Sequence, residues 1–173
     1  MLNFARQYVR IVDAMNYRIG RIMMYSLFGM FAVLLWSSLS KTFFMPSLWT
    51  LEVAQFFMVA YYIMGGPYSL QLGANVRMDL FYSDWSPKKK AWVDSFTVLF
   101  LMFYLGVLLY GAIDSTTYSF QYSERSPTAW RPVLWPIKVT MCVGIFLMLL
   151  QAISELMKDI ATIKGKVLKC HTN

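Results

Sequence analysis

The chain has 173 residues, of which 58% are hydrophobic, 17% aromatic and only 14% charged, with a formal net charge of +7. Soluble domains average roughly 45–50% apolar and about 25% charged residues, so this chain has too little polar surface to cover a water-facing globule. Its basic residues lie in short runs between long apolar stretches rather than in one patch, which excludes a nucleic-acid reader and points to membrane topology.

Residues 2–20 carry Phe4, Tyr8, Ile11, Val12, Met15 and Ile19 at helical spacing, with Arg6, Arg10 and Asp13 marking the opposite face. The pattern predicts a short amphipathic helix in the inner interface; the alternative is a plain N-terminal extension of the first span. Basic residues before an apolar run also resemble a signal peptide. The run Ile22–Ser40 is 19 residues long, however, and no Ala-x-Ala site follows it. A cleaved apolar region is roughly 7–15 residues, so the run reads as a retained span.

Four charge-free stretches follow one another: Ile22–Ser40, Val53–Val76, Ser95–Ile113 and Val139–Ser154. Crossing a hydrocarbon core of roughly 30 Å takes about 20 residues of helix at about 1.5 Å each. The first three suffice. The fourth has 16 charge-free residues and draws on Trp135, Ile137 and Leu156, with Lys138 and Lys158 snorkelling towards head groups. Backbone groups in lipid find no water, and the alternating segments of a β-barrel are missing, so the spans are expected to be helices. The expected fold is an all-α integral membrane domain over residues 1–173. It has four transmembrane helices at about 20–41, 49–74, 91–114 and 134–158 and an interfacial helix at 2–20.

With four spans, the N-terminus, the middle loop and the C-terminus share a side that holds 12 of the 16 Lys and Arg residues. The other side holds Lys41, Arg125, Arg131 and Lys138. The positive-inside rule then predicts both termini in the cytoplasm. Trp36, Trp49, Trp130 and Trp135 fall near the outer edge of this layout and Trp85 and Trp92 near the inner edge, as aromatic belts require.

Between the spans, Ser47 after Pro46 is placed to cap the second helix, and Ser86-Pro87 reads as N-cap and first residue of the third. The stretch from Asp114 to Leu134 is the longest outer connection. Its aromatic residues, Glu124, Arg125 and two prolines predict an ordered loop.

Gly65-Gly66-Pro67 interrupts the second span and reads as a proline kink eased by glycines rather than a broken helix holding a substrate. Glu52, Asp94 and Asp114 sit at span ends, where water is available. Arg77 and Asp79 mark the inner end of the second span, either as a topology anchor or as a contact to neighbouring helices. Lys138 is placed to pair with Glu124 or with a partner protein. Cys142 and Cys170 lie at different depths, so no disulfide is expected. His171 is the only histidine, so no cofactor, haem or histidine-pair metal site is expected, and no Ser/His/Asp set supports an enzyme.

Several stretches, in order, resemble a known family: Trp49-Thr-Leu-Glu52, Leu72-Gly-Ala-Asn-Val-Arg-Met-Asp79, Ser123–Trp130 followed by Leu134–Lys138, and Leu147–Gln151. Over roughly Arg18 to Lys158 the chain resembles the small membrane subunit of a tripartite ATP-independent periplasmic (TRAP) transporter. Asn75 stands where many relatives have histidine, so no imidazole role carries over to that position. The resemblance implies a bacterial inner-membrane scaffold beside a large multi-span subunit that carries the substrate and ion sites, with a periplasmic binding protein delivering a small organic acid. Glu52, Arg77, Asp79, Glu124, Arg125, Trp130 and Lys138 are then the candidate partner or docking contacts. The competing reading is a self-assembling channel or carrier with a site near Gly65–Pro67.

Overall fold

Long apolar runs without internal helix breakers give long helices. The computed structural model describes residues 2–45, 47–72 and 87–163, and among them the fold is four α-helices: α1 (Leu2–Phe43), α2 (Trp49–Gln71), α3 (Pro87–Gln121) and α4 (Trp135–Ile163). Pro87 opens α3, the position where a missing N–H costs nothing. Ser47 is not the cap of α2: the N-cap is Leu48, without a side-chain cap bond, and the Ser47 hydroxyl lies 3.0 Å from that of Thr50. Arg77, Asp79, Trp85, Ser86, Cys170 and His171 lie outside the described residues.

Among the described residues, three helices are long and apolar enough to cross a membrane: α1 over Arg6–Phe43, α3 over Lys89–Gln121 and α4 over Trp135–Ile163. The 23 residues of α2 span about 35 Å, sufficient in length. Tyr61, Tyr62, Gly65, Gly66, Pro67, Tyr68 and Ser69 dilute its hydropathy. The helix runs unbroken through Gly65–Pro67, with Pro67 buried.

Residues 2–20 are the first half of one 42-residue helix, continuous with the following span, and not a separate element. At about 1.5 Å per residue α1 is about 63 Å long, twice the hydrocarbon thickness. Its face assignment also differs from expectation. Asp13 is buried together with Val9, Val12 and Asn16, while Ile11 is 58% exposed. The carboxylate turns inward because α4 supplies it with partners.

Each helix pair is fixed by contacts that reveal its direction. Ser37 meets Thr50 and Asp13 meets Gln71, so α1 and α2 are antiparallel. Added Cβ atoms at Gly144 and Gly66 would meet Ile63 and Met148 respectively, so α2 and α4 run parallel at close approach. The last turns of α3 meet the first turns of α4, Ser115 with Lys138 and Thr116 with Cys142, across the short connection from Gln121 to Trp135, so α3 is antiparallel to α4. Their seam is built on Leu105, Ile145 and Ala152, flanked by Leu101, Leu109 and Met148. The lateral order is α1, α2, α4, α3, with α1 also touching α4. Lipid supplies no hydrophobic drive between helices, so such bundles depend on close packing at small residues and on interhelical hydrogen bonds. Phe28, Phe31, Phe103 and Tyr110 remain exposed on the outer faces of α1 and α3.

Candidate functional site

Polar residues gather at two ends of the bundle and in the connection between α3 and α4. At the end where α1 begins and α4 finishes, Asp13 Oδ1 accepts hydrogen bonds from Gln151 Nε2 at 3.0 Å and Ser154 Oγ at 3.1 Å. Its Oδ2 pairs with Lys158 Nζ at 2.8 Å, and the same ammonium reaches Glu155 Oε1 at 2.9 Å. Asn16 Nδ2 donates to Gln151 Oε1 at 2.7 Å, and Gln71 Nε2 donates to the Asp13 carbonyl at 3.2 Å. Gln151 thus bonds on both its amide groups, donating also to Glu155 at 3.0 Å. Gln151 and Ser154 are fully buried and Asn16 nearly so. A charge in such a setting persists only when paired and hydrogen-bonded, which this cluster achieves for Asp13.

Sequence reasoning missed the cluster. Lys158 was expected to snorkel to head groups, yet it folds back onto two carboxylates. Two signals were present: Gln151, Ser154, Glu155 and Lys158 recur at one-face helical spacing, and Asp13 is the only acid before Glu52.

At the opposite end, the buried Thr50 hydroxyl lies 3.0 Å from that of Ser37, and Ser40 Oγ donates to the Met45 carbonyl at 2.9 Å. Glu52, two residues on from Thr50, is buried, and its Oε2 has no hydrogen-bond partner among the described residues. Asp114, by contrast, is exposed within α3, which continues to Gln121 and shortens the following connection.

That connection is ordered, as its composition predicts. Lys138 Nζ pairs with Glu124 Oε2 at 2.5 Å and lies 3.5 Å from the Ser115 carbonyl. The Glu124 N–H donates to Ser119 at 3.1 Å, and its carbonyl accepts from Leu134 at 3.1 Å. Arg125 and Val133 form an isolated antiparallel bridge, with the Ser126 N–H donating to Pro132 at 3.0 Å. Ser123 and Arg131 turn the chain at φ 47° and 50°, a left-handed conformation costly for non-glycine residues and held by the surrounding bonds. The Lys138 hydrogen bond holds the Glu124 carboxyl below the ordinary carboxylate range, against the opposing effect of desolvation. Arg125, Trp130 and Arg131 are exposed on this clamp.

The seven expected contact residues therefore part ways. Glu124 and Lys138 are joined, Arg125 and Trp130 share their loop, Glu52 lies buried in the chain, and Arg77 and Asp79 fall outside the described residues. No group of three or more His, Cys, Asp or Glu side chains that could hold a metal ion occurs among the described residues.

These features define a helical membrane protein whose buried ionisable side chains at α1 and α4 serve to join helices. Residues 30–162 match the family described as "Tripartite ATP-independent periplasmic transporters, DctQ component", and the chain belongs to that family, the small membrane component of TRAP transporters. The match runs from the second half of α1 almost to the end of α4, so Gln151, Ser154 and Lys158 lie inside it and Asp13 and Asn16 precede it. No curated protein and no solved structure matches the chain.

Proposed function

We propose that this chain is the fixed scaffold subunit of a secondary transporter that imports small organic acids on an ion gradient. Its partners are a large multi-span membrane subunit and a periplasmic binding protein. The observation that carries the reading is the family match over residues 30–162. The structure supports a static role in one respect: Asp13, Lys158 and Gln151 spend their hydrogen-bonding capacity on neighbouring helices. The wide apolar faces of α1 and α3 suit lipid on one side and a large hydrophobic subunit on the other.

In this reading the chain lies in the bacterial inner membrane with both termini cytoplasmic, on the lysine and arginine bias. The α3–α4 connection then faces the periplasm. Arg125 and Trp130 contact the binding protein, while Glu124 and Lys138 hold the loop in shape. Arg77 and Asp79 are proposed contacts of the cytoplasmic connection with neighbouring helices. Glu52 is enclosed and offers a partner less surface than Arg125 or Trp130.

Gentle detergent extraction of the tagged chain from its native membrane, followed by mass spectrometry, tests the assembly. A much larger multi-span protein at equal stoichiometry is expected; a defined homo-oligomer alone would overturn the scaffold reading. For the loop, Arg125→Glu is expected to weaken binding-protein affinity about tenfold, a loss of about 1.4 kcal/mol.

A further inference from the structure

Where α1 and α2 cross, a groove of about 430 Å³ opens between them, lined among others by Gly20, Met24, Tyr61, Gly65, Tyr68 and Leu72. It exists because small residues replace side chains on its floor. Gly20 is closed over by Tyr68, but a Cβ added at Gly65 would meet no atom within 4 Å. From Tyr61 to Leu72 the groove follows about 16 Å of helix, close to one leaflet's half of a hydrocarbon core of roughly 30 Å. Its walls are apolar and aromatic.

Its mouth is cationic. Arg21 follows Gly20 directly; its guanidinium lies 4.7 Å from the centre of the Tyr17 ring and donates to the Tyr17 hydroxyl. Tyr17 in turn packs on the groove residue Tyr68, with ring centres 5.8 Å apart. Arg18 lies one turn away on the same side, and Arg10 lies about three turns below Arg21 on the same stripe. All three are exposed. The only acid before Glu52 is Asp13, which is buried and whose carboxylate is spent on Lys158, Gln151 and Ser154.

An acyl-length apolar slot ending at exposed guanidiniums matches one ligand chemistry. We propose that the α1–α2 groove binds an acyl chain of an anionic phospholipid, with its phosphate held by Arg21 and Arg18. The cationic mouth is what favours lipid over an apolar protein helix as the occupant, because a phosphate supplies the negative charge that the arginines lack. The site is independent of the transport reading, since lipid retention is measured on this chain with or without its partners.

The test is native mass spectrometry of the full chain, purified with whatever subunits accompany it and titrated with phosphatidylglycerol or phosphatidylcholine. Phosphatidylglycerol is expected to be retained at least tenfold more strongly. Gly65→Leu puts a side chain into the slot at a position where an added Cβ meets no atom within 4 Å, and Arg18→Gln with Arg21→Gln removes the head-group charge. Each is expected to lower phosphatidylglycerol retention about tenfold while the helical circular dichroism is unchanged. Equal retention of the two lipids, or undiminished retention in Gly65→Leu, would overturn the proposal. So would a Gly65→Leu protein that loses a membrane partner but keeps its lipid, because the groove would then be a protein seam. Loss in Gly65→Leu without loss in the arginine variant would overturn the phosphate assignment.

Discussion

Asp13 of α1 and Lys158 of α4 form an ion pair at 2.8 Å, with the carboxylate side chain only 6% exposed, although they lie near opposite ends of the chain. The pair ties the first helix to the last. Asp13→Ala leaves Lys158 with Glu155 alone and strips Gln151 and Ser154 of their shared acceptor. Breaking a buried pair costs about 3–5 kcal/mol, and the partial exposure of Lys158 places this one near the lower end. Denaturant titration in detergent, followed by circular dichroism, should show a loss of about 3 kcal/mol. The double variant Asp13→Ala with Lys158→Met should lose less than the sum of the single variants; strict additivity would mean that the two side chains are not coupled.

Gln151 is the hub of the same cluster. Gln151→Leu keeps the volume but leaves the Asn16 amide without its acceptor, at an expected cost of about 1–3 kcal/mol. Tyr8→Phe is the contrasting case. The Tyr8 hydroxyl reaches the Leu150 carbonyl only at 3.4 Å, so its loss should stay within about 0.5 kcal/mol in the same titration.

Gly144 sits where α4 meets the Ile63 backbone of α2, while Gly111 on α3 has open space around it. Gly144→Val should force the helices apart, at a cost of about 1–3 kcal/mol or more. Gly111→Ala should be neutral or stabilising by up to about 1 kcal/mol, because alanine is the better helix former. Thermal unfolding of the two variants beside the parent separates the outcomes, and equal effects would contradict the parallel α2–α4 seam.

The Glu124–Lys138 pair sets a pH dependence of the loop. The folded-state pKa of Glu124 is depressed by the Lys138 hydrogen bond, below an unfolded value of about 4.3. Its contribution is therefore fully present above about pH 4.3 and is lost as pH falls through the lower folded value. Trp130 fluorescence, in a protein with the other tryptophans replaced by phenylalanine, should be flat from neutral pH down to about pH 5 and change only at lower pH. Lys138→Met should abolish that acid step; persistence of the step would assign it to another group.

The ordered loop was legible because Glu124, Arg125 and the prolines are local signals. So were three of the helices, whose apolar runs come close to or exceed the roughly 20 residues a bilayer requires. The weak span differs from expectation. The fourth, short of charge-free residues, forms a 29-residue helix in which Lys138 and Lys158 both pair with carboxylates. The second falls short of a spanning helix's hydropathy over any full window, because tyrosines, glycines and Pro67 occupy its second half, where they serve packing and the groove.

Hydropathy and charge order are properties of the chain read locally, and they determined an all-helical membrane protein; the motif stretches from Trp49 to Gln151 pointed to its family. Tertiary structure alone decided that α1 is one continuous helix, that α2 and α4 run parallel, and that Asp13 faces inward. Apolar residues that face lipid, a neighbouring helix or a groove look alike in one dimension. Whether a carboxylate is solvated or buried depends on partners such as Gln151 and Lys158, which only the packing of α1 against α4 brings within reach.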